Sequence, residues 1–328
     1  MITPNHISPQ ASPLEFIQIY RISNDAIRAE LSAGLLAEQA STAPKYLYDE
    51  LGSKLFAAIC ELPEYYLTRT EAAIFSAYLD EMVECAGRGV TLIDLGAGNC
   101  AKAARLFAAL QPAHYVAVDI STDFLHDALG LLQQRFPNIK MTGIGLDFSS
   151  ALQFPDVVRP DKRLFFYPGS SIGNFTPDEA LSFFKGLRAT CSSDGGVLLG
   201  VDLIKDKKVL DAAYDDALGV TAAFNLNMLL HLNKLLGANF DVRDWQHRGF
   251  FNAKESRIEM HLEAKRAVKM TWTGGERNFK SGERIHTENS YKYTRNGVVK
   301  LLQQAGFRVD GMWRDQRDWF MVCYARAV

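Results

Sequence analysis

Two glycines behind an acidic residue are the first feature of this chain whose residue types and spacing suggest chemistry. Residues 90–95 predict a short buried strand, Gly96 and Gly98 follow it without β-carbons, and a helix is predicted to begin at Ala101. Such a corner lets a ligand approach the backbone closely and offers it the N–H groups of a helix N-terminus. A tight strand-to-helix turn that binds nothing needs the same glycines, so the turn alone leaves both interpretations open.

The spacing of this turn fits two kinds of cofactor. The pattern Gly96-x-Gly98-x-x-Ala101 matches the fingerprint of dinucleotide-binding proteins. Asp94, two residues before the first glycine, fits equally well the acidic turn with which methyltransferases bind S-adenosylmethionine. Features further along the chain have to decide between the two.

Two further acids stand where the next predicted strands end. Asp119 lies 23 positions beyond Gly96, where a carboxylate can hold both hydroxyls of a ribose. It could instead cap the helix that follows. Asp147 and Phe148 come after the third predicted strand, where an acid and an aromatic ring can bond and stack on adenine. A capping aspartate and a core phenylalanine explain that pair nearly as well.

A polar loop at 168–177 follows the fourth predicted strand, 163–167. Open α/β sheets bind their substrates at the carboxyl ends of the strands, which is where this loop begins. Asn174 within it offers two donors and one acceptor, although it could also bond its own backbone as a turn residue. Several tyrosines crowd residues 46–66, and packing explains them as readily as function does.

The elements that must position these residues alternate between strand and helix, which is typical of an α/β fold. A chain of 328 residues is long enough for two lobes. From about 205 to 288 the alternation gives way to two helices and several antiparallel strands, which we interpret as an inserted lobe. The predicted helices are 24–39, 70–84, 101–110, 124–136 and 178–190, and the remaining core strands are 115–118, 141–146 and 196–201.

The end of the chain decides between the two cofactors. Thr294 is predicted to cap a helix that stops at Gly306, and residues 307–309 and 319–324 predict an antiparallel strand pair. Class I methyltransferase sheets finish in this way, whereas doubly wound nicotinamide enzymes do not. We therefore expect S-adenosylmethionine as the cofactor and not NAD.

Composition excludes other classes of function. The net charge of −2 and a pI near 6.4 give no reason to expect nucleic acid or an anionic membrane as a partner. No apolar run reaches the ~18 residues of a membrane span, and the first residues do not have the pattern of a signal peptide. Five scattered cysteines without CxxC spacing suit a reducing cytoplasm and predict no metal site. We expect a cytoplasmic protein that acts as a monomer.

Several stretches together resemble the L-histidine Nα-methyltransferases of ergothioneine biosynthesis. They follow the family order and cover nearly the whole chain beyond residue 20. The most specific of them are the segment 213–227 and residues 287–290, which we call the TENS box. The stretches are YLYDELGSKLF at 46–56, LPEYYLTRTE at 62–71, DLGAGNCAK at 94–102, YPGSSIGNFTP at 167–177, AYDDALGVTAAFNLN at 213–227, RIEMHL at 257–262 and GERIHTENSYKY at 282–293.

The resemblance implies a class I Rossmann-like methyltransferase sheet with a second α+β domain built from N-terminal and inserted segments. Residues 1–70 would contribute a helical segment to the substrate domain, 71–204 would form the methyltransferase core, 205–288 the inserted lobe, and 289–328 the return to the core. The implied residues of the S-adenosylmethionine site are Gly96, Ala97, Lys102, Asp119, Asp147 and Phe148.

The same resemblance implies a substrate site for L-histidine. Asn174 and Tyr214 would hold the carboxylate, while Glu288 and Ser290 of the TENS box would meet the imidazole. The residues implied near the amino group are Tyr48, Tyr65 and, through its backbone, Gly169.

The implied reaction is the methylation of the α-amino group of histidine to hercynine, with S-adenosylhomocysteine as the second product. Tyr48 is the candidate catalytic residue, because the amine must lose a proton before it can react. Relatives that act on tryptophan-type amines lack the matching acid and methionine. Here both Glu288 and Met260 are present, which favours histidine over that alternative.

Overall fold

The computed structural model describes residues 14–19, 23–147 and 152–328. The strands are β1 (Glu15–Gln18), β2 (Thr91–Leu95), β3 (His114–Asp119), β4 (Lys140–Gly145), β5 (Arg163–Tyr167), β6 (Gly196–Asp202), β7 (Trp245–Asn252), β8 (Arg257–Ala264), β9 (Val268–Trp272), β10 (Gly275–Phe279), β11 (Arg284–Tyr291), β12 (Phe307–Arg314) and β13 (Phe320–Ala327). The helices are α1 (Asn24–Leu36), α2 (Glu50–Cys60), α3 (Tyr66–Ala86), α4 (Ala101–Ala104), α5 (Phe107–Leu110), α6 (Thr122–Arg135), α7 (Pro177–Ala189), α8 (Lys207–Tyr214), α9 (Val220–Leu236) and α10 (Arg295–Gln304).

The large sheet has eight strands in the order β1-β4-β3-β2-β5-β6-β13-β12. Strands β1 to β6 run parallel, and β13 is antiparallel to both of its neighbours, β6 and β12. The strand pair predicted at the C-terminus is therefore present, and with it the Rossmann-like methyltransferase sheet. Strands β3 and β5 lie on opposite sides of β2 in the sheet. The connections that follow β2 and lead to β5 therefore diverge, and a crevice opens at the carboxyl end of β2.

The central strands are nearly continuous hydrophobic segments because apolar side chains pack on both faces of the large sheet. Every residue of β2 is buried, with Leu92 packed in one hydrophobic cluster and Ile93 in another on the opposite face. Tyr115 joins the cluster of Leu92, and Val116 joins that of Ile93. Since successive side chains of a strand point to opposite faces, a parallel sheet covered on both sides buries all of them.

A smaller sheet with the order β11-β8-β7 forms the base of a second layer, together with α8, α9 and the β9-β10 hairpin. The N-terminal segment is tied to it, because the Thr42 N–H donates to the carbonyl of His286 at 2.9 Å and the His286 N–H to that of Ala40 at 2.8 Å. Strand β11 crosses the boundary predicted at residue 288. Among the described residues, no helix is both long and apolar enough to span a lipid bilayer.

Three local predictions need correction. The prolines and serines of residues 1–20 predict a loosely held segment, but residues 15–18 form β1, which pairs with β4 of the large sheet. The sequence predicts that the second helix starts at Thr70 with Thr68 or Thr70 as its cap, but α3 begins at Tyr66 and no side chain caps it. The helix predicted over 101–110 is divided into α4 and α5, because a tight turn places the Leu106 N–H on the carbonyl of Ala103.

Gly52 allows α2 to lie very close to the backbone of the 3₁₀ turn Pro44–Leu47. A β-carbon on Gly52 would lie 1.8 Å from the carbonyl oxygen of Leu47. We therefore expect Gly52→Ala to lower the free energy of unfolding by at least about 2 kcal/mol, measured by chemical denaturation. Gly130→Ala is the control: it lies inside α6 with open space around it, so it should gain up to about 1 kcal/mol. Equal stability of the two variants would contradict this account of Gly52.

Candidate active site

The glycine turn and Asp119 meet where β2 and β3 end. The N–H groups of Gly96 and Ala97 donate to the carbonyl of Val118 at 2.9 and 3.1 Å, which fixes the turn against β3. Gly98 donates its N–H to Asp119 Oδ2 at 2.9 Å. Gly96 and Gly98 both have positive φ, and a β-carbon on Gly98 would point into open space. The turn therefore leaves room for a ligand directly beside the acid.

Asp119 is held by backbone donors and keeps lone pairs for a ligand. Its Oδ1 accepts from the Ser121 N–H at 2.9 Å, so part of the capping role considered for this acid is present. Burial raises the pKa of Asp119, while the N–H groups of Ser121 and Gly98 act in the opposite direction. Each carboxylate oxygen has two lone pairs, and one backbone bond to each leaves room for the two hydroxyls of a ribose. This donor and acceptor set fits the adenosine part of S-adenosylmethionine.

Two other residues predicted for the cofactor site, Asp147 and Lys102, lie around this crevice. Asp147 is buried just beyond β4, with its Oδ2 3.7 Å from the ammonium of Lys45. Phe148 lies outside the described residues. Lys102 extends from α4, and its Nζ forms an ion pair with Glu71 at 2.8 Å. Their binding roles stay predictions.

Glu71 is a site residue that the sequence reasoning missed. It is 1% exposed, and its Oε1 accepts from the Gly169 N–H at 2.6 Å while Oε2 pairs with Lys102. Gly200 in β6 makes room for it, since a β-carbon there would lie 2.1 Å from Glu71 Oε1. Glu71 thus links the helix after the glycine turn to the loop after β5. It is the last residue of the LPEYYLTRTE stretch, which was the available signal.

All eight residues predicted to bind substrate line one pocket. They come from four parts of the chain: the 3₁₀ turn before α2 with the start of α3, the loop after β5, the end of α8, and the facing strands β8 and β11. The eight are Tyr48, Tyr65, Gly169, Asn174, Tyr214, Met260, Glu288 and Ser290. The lining that the sequence reasoning did not assign consists of Phe56, Ile59, Ser170, Ser171, Ala213, Thr221 and Phe224.

Aromatic rings form one wall of this pocket. The ring of Tyr48 lies 5.4 Å from Phe56 and 5.5 Å from Phe224, both edge-to-face, and the ring of Tyr65 lies 6.1 Å from that of Tyr214. Burial, with the nearby Glu288 as a smaller cause, raises the pKa of Tyr48 well above 10. Tyr48 therefore remains a neutral phenol, which can exchange hydrogen bonds with an amine but is not a phenolate base.

Tyr48 is positioned by the residue that follows it. Asp49 caps α2 by accepting from the Gly52 N–H at 2.7 Å, and the same oxygen accepts from Asn227 Nδ2 at 2.7 Å. The acid therefore ties the 3₁₀ turn, α2 and α9 together directly behind the tyrosine. The specific AYDDALGVTAAFNLN stretch ends at this asparagine.

The loop after β5 carries Asn174 into the pocket. Ser170 has positive φ, and its Oγ accepts from the Asp202 N–H at 2.9 Å. Gly173 lets the turn pack on β11, because a β-carbon there would lie 2.9 Å from the carbonyl oxygen of Tyr291. These contacts place the Asn174 amide within hydrogen-bonding reach of Glu288.

Glu288 and Ser290 share a face of β11 because they are two residues apart. A bulge lies between His286 and Glu288, and Glu288 pairs across the sheet with Met260. Glu288 is 8% exposed. Burial raises its pKa to about 7, although Lys292 and the Asn174 amide act in the opposite direction.

The sequence also allows a purely structural role for Glu288, an ion pair with Arg284, Lys292 or Arg295. All three cations pair with other acids: Arg284 with Glu263 at 2.7 Å, Lys292 with Asp202 at 2.9 Å, and Arg295 with Asp318. Glu288 faces the pocket instead. A carboxyl buried beside aromatic rings without its own salt bridge is expected at a binding site more than in a structural network.

The raised pKa of Glu288 predicts how stability depends on pH. The folded state holds this proton more tightly than the unfolded chain, whose carboxyl titrates near 4.5, so the cost of the ionised form appears as the pH rises from 4.5 to about 7. A displacement of this size corresponds to about 3–4 kcal/mol at most. We expect Glu288→Gln to match wild type near pH 5 and to exceed its melting temperature at pH 8.

Glu259→Gln is the matched control for this measurement. Glu259 lies on the neighbouring strand; burial acts to raise its pKa, but hydrogen bonds from Asn252, Arg257 and His261 lower it to about 2. Its stabilising contribution is therefore complete above about pH 4.5. The control should be less stable than wild type by a margin that hardly changes between pH 5 and 8. The same pH trend in both variants would contradict the environment described for Glu288.

Comparison with known proteins identifies the family of this chain. A family model described as histidine-specific, S-adenosylmethionine-dependent methyltransferase matches residues 27–327. The histidine N-alpha-methyltransferase of Mycolicibacterium smegmatis is 39% identical over 298 residues, which is 89% of this chain and 92% of that protein. Its counterpart in Mycobacterium tuberculosis is 36% identical, over 90% and 93% of the two chains. Ergothioneine biosynthesis protein 1 of Neurospora crassa is 32% identical over 81% of this chain and 31% of its own length.

The motifs, the sheet order and the pocket thus point to the same group of proteins as the family model does. This chain belongs to the family of S-adenosylmethionine-dependent, histidine-specific methyltransferases.

Proposed function

We propose that this enzyme methylates the α-amino group of L-histidine three times to give hercynine, as a step of ergothioneine biosynthesis. The observation that carries the proposal is the lining of one pocket, which combines a neutral amide and a neutral phenol, a buried carboxyl and a hydroxyl, and several aromatic rings. An amino acid with a polar ring matches this set of groups. The names of the bacterial relatives support the α-nitrogen as the methylated atom.

The orientation of the substrate follows from the groups that can bind each of its ends. Asn174 and Tyr214 can donate hydrogen bonds to the carboxylate, since the amide carries two N–H groups and the phenol is neutral. Glu288 and Ser290 can bond the two ring nitrogens. With both ends held, the α-amino group is directed towards Tyr48 and Tyr65, and the imidazole is kept away from the cofactor side.

S-adenosylmethionine supplies an electrophilic methyl group on a sulfonium centre. The residues of this chain have to hold the amine within ~3–3.5 Å of that carbon, in line with the leaving sulfur. The amine must also be neutral, and the Tyr48 hydroxyl can accept one of its protons in a hydrogen bond or pass it to water. Since Tyr48 stays a phenol, this role is one of orientation and proton relay, with no phenolate as base.

The aromatic wall suits a product that gains positive charge. A trimethylated α-nitrogen is a permanent cation without N–H groups, so it cannot be held by hydrogen bonds. The faces of Tyr48, Phe56 and Phe224 can attract such a cation without binding the starting amine too tightly. A wall of neutral rings therefore tolerates each successive methyl group.

Glu71 aligns the two halves of the reaction. It bonds the Gly169 backbone at the substrate side and Lys102 at the cofactor side, so the loop and the glycine turn cannot shift independently. Because a misplacement of about 1 Å can cost 100-fold in rate, such a link supports the in-line geometry that methyl transfer needs.

The identity of the product tests the proposed function directly. Purified enzyme with histidine and S-adenosylmethionine should give the trimethylated α-amine, and fragmentation in a mass spectrometer should find no methyl group on the ring. Histamine is the matched control substrate: it has the same ring and amine but no carboxylate, so it should react poorly. A methyl group on the imidazole would show that the substrate lies the other way round.

The second test concerns the ring. Glu288→Ala leaves a ring nitrogen without its partner, so kcat/KM for histidine should fall roughly 30- to 1000-fold. This fall corresponds to a loss of about 2–4 kcal/mol of transition-state stabilisation. Tryptophan should gain relative to histidine, because the removed carboxyl desolvates poorly against an apolar ring. Affinity for S-adenosylmethionine, measured by calorimetry, should hardly change.

Glu259→Ala separates recognition from general damage in that test. It removes a buried acid from the adjacent strand that does not line the pocket. The control is expected to lose stability and to keep the wild-type ratio of kcat/KM for histidine and tryptophan. If the ratio in Glu288→Ala also stays within about threefold of wild type, Glu288 does not recognise the substrate.

A further inference from the structure

Behind the pocket lies a buried ion pair, Lys292 with Asp202, that none of the proposed roles uses. The side chains of Lys292 and Asp202 are both 0% exposed, and Lys292 Nζ lies 2.9 Å from Asp202 Oδ2. The same ammonium is 2.8 Å from Ser290 Oγ and 3.0 Å from the Tyr214 hydroxyl. Those two hydroxyls, which both line the pocket, are 2.9 Å from each other.

The charge of Lys292 follows from its neighbours. Burial acts to lower its pKa, but the Asp202 carboxylate and Tyr214 outweigh burial, and the pKa lies above its usual value. Lys292 is therefore an ammonium with three N–H donors, and it has three oxygen partners within 3.0 Å. Each of the two hydroxyl oxygens accepts one of these bonds on the side away from the pocket.

Counting the hydroxyl protons restricts what the pair can offer a ligand. Tyr214 and Ser290 have one proton each, and one of the two is used in the bond between them. Only one hydroxyl proton is left to point into the pocket, so one member of the pair donates to the ligand while the other can only accept. Which member donates is decided by the ligand.

We propose that Lys292 is a positioning residue that couples these two hydroxyls, so that recognition of the substrate carboxylate by Tyr214 obliges Ser290 to accept a hydrogen bond from a ring N–H. The inference rests on the proposed function. A carboxylate can only accept, so Tyr214 must donate to it; Ser290 must then donate to Tyr214, and its remaining lone pair faces the ring. The pocket consequently selects amino acids whose ring carries an N–H at this position.

Glu288 serves the other ring nitrogen and completes the selection. An ionised Glu288 accepts a second N–H from an imidazolium, and a protonated Glu288 donates to the bare nitrogen of a neutral imidazole. The proton between them can thus sit on either partner. The N–H that faces Ser290 is needed in both cases, so the requirement at Ser290 is separate from that at Glu288.

Binding of two amino acids that differ in this N–H tests the coupling. The probes are histidine and 3-(1,2,4-triazol-1-yl)alanine, whose ring has bare nitrogens at both nitrogen positions of histidine and no N–H. Each is titrated by calorimetry into enzyme saturated with S-adenosylhomocysteine, below the pKa of Glu288, so that this acid can donate to a bare nitrogen of either ring. Wild type should prefer histidine by about 10- to 100-fold, because the triazole leaves the Ser290 acceptor unpaired. In Tyr214→Phe, Ser290 regains its proton and can donate to the triazole nitrogen, so the preference should fall to within about threefold.

The tyrosine variant distinguishes this coupling from a role in the carboxylate site alone. Both probes have the same carboxylate, so a Tyr214 that acts only there would weaken both equally and leave the preference unchanged. Lys292→Met should also reduce the preference, since Ser290 is then free to rotate. Adding Ser290→Ala to Lys292→Met should change the preference no further than Ser290→Ala alone does, because the lysine acts through that hydroxyl.

Lys205→Met is the matched control. Lys205 pairs with the other oxygen of Asp202 at 2.5 Å and bonds the Tyr66 hydroxyl, but it contacts neither Tyr214 nor Ser290. It should keep the wild-type preference, and a loss there equal to that of Lys292→Met would assign the effect to the buried charge and overturn the inference. An unchanged preference in Tyr214→Phe would overturn it too, even if the lysine variants fail to fold. A wild type that does not bind histidine would instead contradict the proposed function.

Discussion

The ion pair between Asp202 and Lys292 joins the two sheets on which the site is built. Asp202 ends β6 of the large sheet, and Lys292 follows β11 of the small one, with the Tyr293 N–H donating to the Asp202 carbonyl at 3.0 Å. The Asp202 carboxylate also accepts from the Tyr66 hydroxyl at the start of α3. A buried pair of this kind costs nearly as much in desolvation as it gains, but loss of one partner costs about 3–5 kcal/mol. Its contribution is therefore to geometry more than to stability.

A second buried acid, Glu71, links separate elements on the cofactor side of the site. Glu71 is buried over β6 and bonds both the loop after β5 and the lysine after the glycine turn. Together, Glu71 and Asp202 hold the loop at 168–174 from two directions, since the Ser170 hydroxyl accepts from the Asp202 N–H. The loop carries Asn174, so the position of this pocket residue depends on the Glu71 carboxylate and the Asp202 backbone, although neither residue lines the pocket itself.

The pocket combines neutral hydrogen-bonding groups with a single carboxyl whose ionisation is finely balanced. Burial keeps the phenols of Tyr48, Tyr65 and Tyr214 protonated, because it raises the pKa of each of them. The same burial holds the pKa of Glu288 at about 7, where the acid can share a proton with an imidazole. Neutral rings beside one adaptable acid can accept a substrate whose amine becomes a permanent cation and whose ring can exist in two protonation states.

The sequence by itself determined the class of sheet, and the resemblance carried by its motifs named eight residues that line one pocket. Glycine spacing, acids at the ends of predicted strands and the C-terminal strand pair all depend on local backbone geometry, which neighbouring residues control. Glu288, Ser290 and Lys292 lie two residues apart in the sequence, so an extended segment there places them on one face. The pairing of β1 and the start of α3 escaped prediction because each depends on a distant residue: β1 pairs with β4, and the Tyr66 hydroxyl donates to Asp202.

Only the tertiary structure decided which partner each of these side chains has. The sequence allowed Glu288 to pair with Lys292, but the fold brings Asp202 from 90 positions away to that lysine and leaves the acid to the pocket. It also brings Glu71 to Gly169, across 98 positions of the chain. Buried charges and N–H groups must find partners wherever the packing of two sheets places them, and that packing is set by the whole core and by no local pattern.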